Sequence, residues 1–488
     1  MVTVMGMASC KYLKLEGIIL ILSSIIVKNV FSANVEISPT ASVELTYSDN
    51  INLDSTNENS GFVSTWSAGV ITESIGNNGE LLFGYDVYQT FNLQDSSENK
   101  LFNELSLFAN RKIYKDSVEL ETNATITNIA RSIQDNANPD IISGNTIETR
   151  SIDAEISYQN NPRGYFDIYG SIYGSATSNE DGIGDYYAIE SNIVFQNGLS
   201  EKDYFWLTDY SYEKNISANT KESYYNYEID QEVGIQTVYG VSPLIHAYYE
   251  GYTTGNQDKV VESGSWGPGV RYYLHRRSYV ELGYEFSIND RDFWRWAVSL
   301  NPNPRTFLAF DYTRKFYGDS YDFTLININK RMTNTISYRE ELEGFERQFF
   351  VVGENIEEFQ LVKELSMNSS FITRRTTFSF DLRAQERLIL SDSDNVGSDN
   401  VGDSKLYGSK LAILHNISNL TSLSASFQFD IDKFDSEPTE SLINYYRIFD
   451  VSLENQISNS IFWDVSLRHA NSSIYKENRA NFTVSVEY

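Results

Sequence analysis

From Thr40 to Tyr488 the chain repeats one pattern: segments of about 9 to 14 residues alternate apolar with polar positions, then break at Asn, Asp, Gly, Ser or Lys clusters. Leu81-Phe83-Tyr85-Val87, Phe166-Ile168-Gly170-Ile172, Val280-Leu282-Tyr284-Phe286, Trp294-Trp296-Val298-Leu300 and Leu308-Phe310-Tyr312 each alternate with mostly polar neighbours. A period of two predicts strands with one apolar and one polar face. Only Glu357 to Glu364 breaks the series as a candidate short helix, and Glu341 to Thr376 leaves room for one hairpin fewer. The segments number about 24, within a range of roughly 22 to 26. Short connections such as Asn77-Asn78-Gly79, Asn160-Asn161-Pro162 and Pro302-Asn303-Pro304 alternate with longer polar ones such as Asn50 to Gly61, Asp135 to Asn145 and Ser391 to Lys405. Short periplasmic turns and longer outer loops are the mark of a transmembrane barrel. The prediction is therefore an all-β fold, a single large antiparallel transmembrane β-barrel. A propeller or solenoid would show a fixed repeat, and the only internal repeat is the short duplication Ser393 to Gly397 and Ser398 to Gly402.

The first 33 residues read differently. Lys11 and Lys14 precede the apolar run Gly17 to Val27, which is too short to span a bilayer as a helix and suits the hydrophobic region of a secretory signal peptide. Cleavage is expected after Ser32 or Ala33, which divides the chain into a signal peptide, 1–33, and a barrel, 34–488. The first strand then follows so closely that no N-terminal plug is expected. The single cysteine, Cys10, belongs to the presequence, so the mature chain is expected to hold no disulfide and no thiolate metal site. The chain has 38 Lys plus Arg against 67 Asp plus Glu. Residues 1–33 hold Lys11, Lys14, Lys28 and Glu16, so the mature chain keeps 35 basic and 66 acidic side chains, a net charge of -31. That balance argues against a nucleic-acid partner bound through its phosphates. With 34 Tyr, 28 Phe and only 8 Pro, the composition suits many aromatic-bearing strands with few breakers.

The C-terminus adds a local signal. Phe482, Val484, Val486 and Tyr488 alternate with polar residues and end on an aromatic, which resembles the terminal strand that the barrel-assembly machinery reads. In such a barrel the apolar set of each strand faces lipid, placing Trp294, Trp296, Tyr312 and Tyr488 outward or at the membrane interface. The opposite face collects Arg271, His275, Glu281, Glu285, Arg295, Asp311, Lys315, Arg339, Asp381, Arg383 and Arg387 as lumen-lining candidates. Mutual pairing of buried charge and selection of a polar solute are both open to such a face. Tyr165, Tyr169 and Tyr173, evenly spaced on one strand, form a candidate ladder for sugar rings. The acidic stretch around Asp392, Asp394, Asp399 and Asp403 lacks calcium-hand spacing and reads as a solvated loop. His246, His275, His415 and His469 fall on separate strands, and no HExxH, GxSxG or phosphate-loop motif occurs. The expectation is a non-enzymatic protein without a cofactor or catalytic residues.

Pro39 to Leu53, and Thr-Tyr-Ser-Asp-Asn-Ile-Asn-Leu from Thr46 above all, resembles the opening of outer-membrane proteins associated with PEP-CTERM and exosortase systems. Leu365 to Arg383, with Arg374-Arg375-Thr376-Thr377-Phe378 turning into a strand, is similar too. The resemblance implies no catalytic residues. Through its link to loci for exopolysaccharide production and surface sorting, it implies a role in envelope export. The expectation is a channel or export component for exopolysaccharide or another polar polymer. Its expected partners are outer-membrane lipid, the barrel-assembly machinery, exopolysaccharide and periplasmic export proteins. A general porin, a barrel-embedded hydrolase and a loop-based scaffold or adhesin stand as alternatives.

Overall fold

The computed structural model describes residues 34–56, 58–94, 99–114, 117–130, 142, 146–160, 163–237, 239–253, 260–275, 278–344, 359–389, 403–437 and 440–488. The signal-peptide segment, Cys10, Asp392, Asp394 and Asp399 lie outside them. The alternating segments become β1 (Asn34–Ser48), β2 (Gly61–Gly76), β3 (Gly79–Asn92), β4 (Leu101–Ile113), β5 (Val118–Ala130), β6 (Thr146–Gln159), β7 (Phe166–Asn179) and β8 (Tyr186–Asn197). They continue through β9 (Tyr204–Ser217), β10 (Ser223–Ile235), β11 (Val241–Thr253), β12 (Val260–His275), β13 (Ser278–Ser287), β14 (Phe293–Asn303), β15 (Thr306–Lys315) and β16 (Gly318–Ile328). The last are β17 (Met332–Glu343), β18 (Gln360–Ile372), β19 (Thr376–Ile389), β20 (Ser404–Asn416), β21 (Thr421–Glu437), β22 (Glu440–Ser458), β23 (Ile461–Ser472) and β24 (Lys476–Glu487). Each pairs antiparallel with the next, and β24 pairs with β1 from Thr40↔Glu487 to Ser48↔Arg479, which closes the sheet. The short helix expected at Glu357 to Glu364 is corrected over its described residues: Gln360 to Glu364 open β18, because every one of them pairs with β17.

Closure satisfies backbone groups around the whole wall, the condition for strands to cross hydrocarbon. The outward face carries the apolar alternates, including Trp66, Ile156, Ile245, Trp294, Trp296 and Phe482, all largely exposed to the surroundings. Aromatic rings gather at both rims. Tyr47–Phe62, Trp66–Phe91, Trp266–Phe286 and Tyr284–Trp294 pair at the long-loop end with centroids 5.0, 6.5, 5.3 and 5.1 Å apart. Phe166, Phe195 and Trp206 cluster at the short-turn end. An apolar band between two aromatic girdles is how an outer-membrane barrel meets its bilayer, and this protein is one.

The segment Ser48 to Asp54 ties the closing seam at the long-loop rim. Asn50 is fully buried, and its Nδ2 donates to the Asp54 carbonyl at 2.8 Å and the Lys476 carbonyl at 2.9 Å. Its Oδ1 accepts from the Asp54 N–H at 3.1 Å. The Asp49 carboxylate accepts from the Asn478 backbone and side chain at 2.7 and 2.6 Å, and Ser48 donates to Glu477 at 2.7 Å. Leu53, at φ 52°, drops its side chain among Ile448, Ala470, Ile474 and Tyr475.

Candidate functional site in the barrel lumen

Following the register around the wall assigns one face of every strand to the lumen. Sequence candidates Arg271, Glu281, Glu285, Arg295, Asp311, Arg339, Asp381, Arg383 and Arg387 all fall on it. His275 does not line it: a register shift between Tyr273 and His275 carries it to the turn, where it is exposed. A bulge of this kind turns a side chain off the face its spacing predicts. Tyr165 is corrected as well, since it sits in the turn before β7 and is 61% exposed, leaving Tyr169 and Tyr173 on the strand.

In the sector β9–β15 the wall folds tightly on itself. Lys315 of β15 lies 3.2 Å from Glu228 of β10. Five strand spacings along a flat sheet would separate them by about 24 Å, so the contact measures strong local curvature. Small inward residues permit it: a Cβ on Gly267 would press into the Tyr284 carbonyl, and one on Gly234 into the Phe205 ring. The concave space is filled by charge. Glu281, almost fully buried, accepts from Arg271 Nε at 2.8 Å and pairs with Arg295. Arg271 also reaches Glu232 at 2.6 Å and stacks between Phe205 and Tyr279, 4.7 and 4.1 Å from their ring centres. His246 bridges Glu285 and Asp230, each at 3.0 Å. Every one of these groups has partners, so this lobe is a packed structural wall and not a path.

A second intrusion narrows the long-loop mouth. Pairing between β16 and β17 stops at Phe323↔Tyr338, so their outer ends diverge. At the β15–β16 tip, the Phe316 N–H donates to Glu250 at 2.6 Å and its ring meets Tyr252 at 4.4 Å. The outer ends of β17 and β18 lean across the lumen: Leu361 packs against Tyr252, and Phe359, fully buried, meets Tyr224 edge-on at 4.7 Å. A cavity of about 310 Å³ lies between this hairpin and the facing wall, with Tyr173, Glu190, Glu213, Asn215, Glu341 and Glu343 in its lining.

That facing wall carries a feature the sequence reading missed. Glu121 of β5, Glu155 of β6, Tyr173 of β7, Glu190 of β8 and Glu213 of β9 stand directly opposite one another across four successive strand pairs. They form one circumferential row. Asp86↔Glu104 and Asp209↔Asp230 add two further acid pairs on the same face. Like charges directly opposite cost stability in a sheet. Neutral donors relieve part of it: Asn123 reaches Glu121 and Asp153 at 3.3 and 2.9 Å, and Asn215 reaches Glu213 at 2.6 Å. Among the described residues, the lumen face of β1–β9 holds one cation, Lys112 at the turn end. The opposite wall is mixed, with Arg387 on Glu343 at 2.9 Å and Arg339 on Glu341 at 2.7 Å. A field therefore runs across the lumen toward the acidic wall. The individual glutamates are visible in the sequence, but their alignment depends on turn lengths between strands up to 92 residues apart, Glu121 to Glu213, and so needs the register.

No family model matches the chain, and no curated protein matches it. Among solved structures, the FrpB iron transporter from Neisseria meningitidis (F3-3 variant) aligns over 92% of this chain and 81% of its own at 9% identity and a TM-score of 0.46. The copper transporter OprC aligns over 93% and 80% at 7% identity and a TM-score of 0.41. The siderophore receptor PirA from Pseudomonas aeruginosa aligns over 92% and 80% at 11% identity and 0.40. Likeness at this level transfers neither substrate nor mechanism.

Proposed function

We propose that this barrel is a passive conduit for polar solutes that admits cationic and neutral species in preference to anions, and that its natural cargo is a neutral or cationic polar polymer such as an exopolysaccharide. The observation that carries this reading is the row Glu121, Glu155, Glu190 and Glu213 facing the lumen beside Tyr173. Fixed charge on a pore wall raises the local concentration of counter-ions and repels co-ions. Tyr169 and Tyr173 lie two residues either side of Ser171 on that wall, where aromatic faces and carboxylate acceptors suit the faces and hydroxyls of sugars. The likeness of Pro39 to Leu53 to exosortase-associated outer-membrane proteins supports a polymer over a small nutrient.

The test is single-channel recording of the refolded mature chain in a planar bilayer, with neutral dextran or anionic polygalacturonate added to one side. Dextran is expected to block the current in a length-dependent manner, with weaker block in Tyr169→Ala/Tyr173→Ala. Equal or stronger block by the polyanion would refute the charge preference. Silence from a folded barrel would refute the passive conduit.

A further inference from the structure

Beyond Phe323↔Tyr338 the wall splits, because β16 runs on beside β15 while the outer end of β17 leaves with β18. Glu340 lies just past that split. Strand alternation gives it the side of Tyr338, which stands across from the exposed Leu365 and so belongs to the lipid-facing set. A carboxylate on that face is costly in a membrane wall. The inward lean of β17 carries it into the barrel instead, where it is only 8% exposed. The Tyr338 hydroxyl donates to Glu340 Oε1. The second oxygen, Oε2, is buried and has no hydrogen-bond partner.

Glu340 borders a cavity of about 160 Å³ at the open side of the packed lobe. At about 30 Å³ per water, a space of this size takes roughly five waters or a short aliphatic chain. Asp311 and Asp322 also line it and stand directly opposite each other on β15 and β16. Like charges so placed repel. Asp311 has Arg295 at 3.6 Å, Asp230 has His246 at 3.0 Å and Glu228 has Lys315 at 3.2 Å. Asp322 gains less, since Lys315 and Arg339, whose charges reach it, are held by Glu228 and by Glu341 at 2.7 Å. The lining therefore sets five carboxylates against two permanent cations and one histidine. An orphaned buried acceptor in an acidic cavity lacks a cation that donates hydrogen bonds. Among the described residues no three carboxylate or imidazole groups converge as ligands for a metal ion. The hydroxyls of Thr313 and Ser320 and the ring of Tyr321 border the same space, and such acceptors and aromatic faces suit an ammonium group. We propose that this cavity binds the ammonium end of a linear aliphatic amine, with Glu340 Oε2 and Asp322 accepting its N–H bonds. Bound there, the amine ties the splayed end of β17 to β16.

The test is isothermal titration of the refolded mature barrel in zwitterionic micelles with the diamine putrescine. Tetramethylammonium, which carries charge without N–H donors, and magnesium are titrated beside it. Wild type is expected to bind putrescine saturably and the other two cations about tenfold more weakly or less. Glu340→Gln and Asp322→Asn should each weaken putrescine binding about tenfold, from the loss of one charge-assisted hydrogen bond. Glu454→Gln, exposed at the opposite rim, should bind as wild type does. Asp322 is exposed, so Asp322→Asn carries the test should Glu340→Gln not fold. No conductance is needed, so this result stands apart from the conduit reading: a barrel silent in a bilayer can bind the diamine, and a conducting one can fail to. Absence of binding by wild type, or equal binding by wild type and both site variants, would overturn the proposal. Tetramethylammonium or magnesium binding as tightly as putrescine would overturn it too.

Discussion

Replacing Asn50 with Ala removes a fully buried side chain that holds together two stretches of chain more than four hundred residues apart in sequence. Three hydrogen bonds are lost: two donated to the Asp54 and Lys476 carbonyls, and one accepted from the Asp54 N–H. Each leaves a backbone group that the packed loop cannot hydrate. At about 1 kcal/mol net for each bond, and more where the orphan stays dry, the loss is about 2–4 kcal/mol. Asp49→Ala breaks a neighbouring pair with Asn478 in an exposed setting, where water takes over the bonds, and should cost under about 1 kcal/mol. Urea titration of the folded barrel in micelles, followed by the fraction that migrates as folded on an unheated gel, reads both. The midpoint should fall clearly for Asn50→Ala with the slope unchanged, since the same surface is exposed on unfolding. Equal midpoints for the two variants would refute the idea that this segment fastens β1 to β24.

The packed lobe and the leaning hairpin give two further tests. Glu281→Ala strands the buried Arg271 and Arg295 guanidiniums and should destabilise by about 3–5 kcal/mol, whereas Arg339→Ala, half exposed among several carboxylates, should cost under about 1 kcal/mol; the same urea titration compares them. A Cβ on Gly344 would lie 3.1 Å from the Asn215 side-chain nitrogen, so Asn215→Cys with Gly344→Cys should form a disulfide on mild oxidation, seen as a shift on a non-reducing gel. Absence of the bond in the folded barrel would show that β17 does not reach β9.

The fold was legible because each strand states its own faces. Residues such as Leu81, Phe83, Tyr85 and Val87 announce the lipid side, and the terminal Phe482, Val484 and Val486 occupy the strand that closes on β1. The short helix expected at Glu357 to Glu364 gives way to strand over its described part because Gln360 to Glu364 pair with β17, a partner that only the register brings beside them. His275 shows a second limit, since a bulge shifts a face without leaving a mark in the alternation. In the sequence the motif from Thr46 to Leu53 is only a likeness, and its physical role at the seam appears when Lys476, Glu477 and Asn478 are brought beside it. Both charge signs are conspicuous on the polar strand faces of the second half of the chain, from Arg271 to Arg387. Glu121, Glu155, Glu190 and Glu213 are not legible as a row in the sequence, because a scattered glutamate on a polar face carries no signal until the register lines it up with the next.

The central question is whether that acidic row governs what passes through the barrel. The direct measurement is the reversal potential of the reconstituted wild-type barrel under a potassium chloride gradient, set beside Glu121→Gln/Glu155→Gln/Glu190→Gln/Glu213→Gln. Wild type should favour potassium over chloride, most strongly on the dilute side near 0.01 M, where the screening length is about 30 Å, and less at 1 M, where it is about 3 Å. The quadruple variant should move toward equal permeability while keeping its conductance. A wild-type barrel that conducts without cation preference, or a variant that keeps the full preference, would contradict the assignment of the lumen's selectivity to this wall.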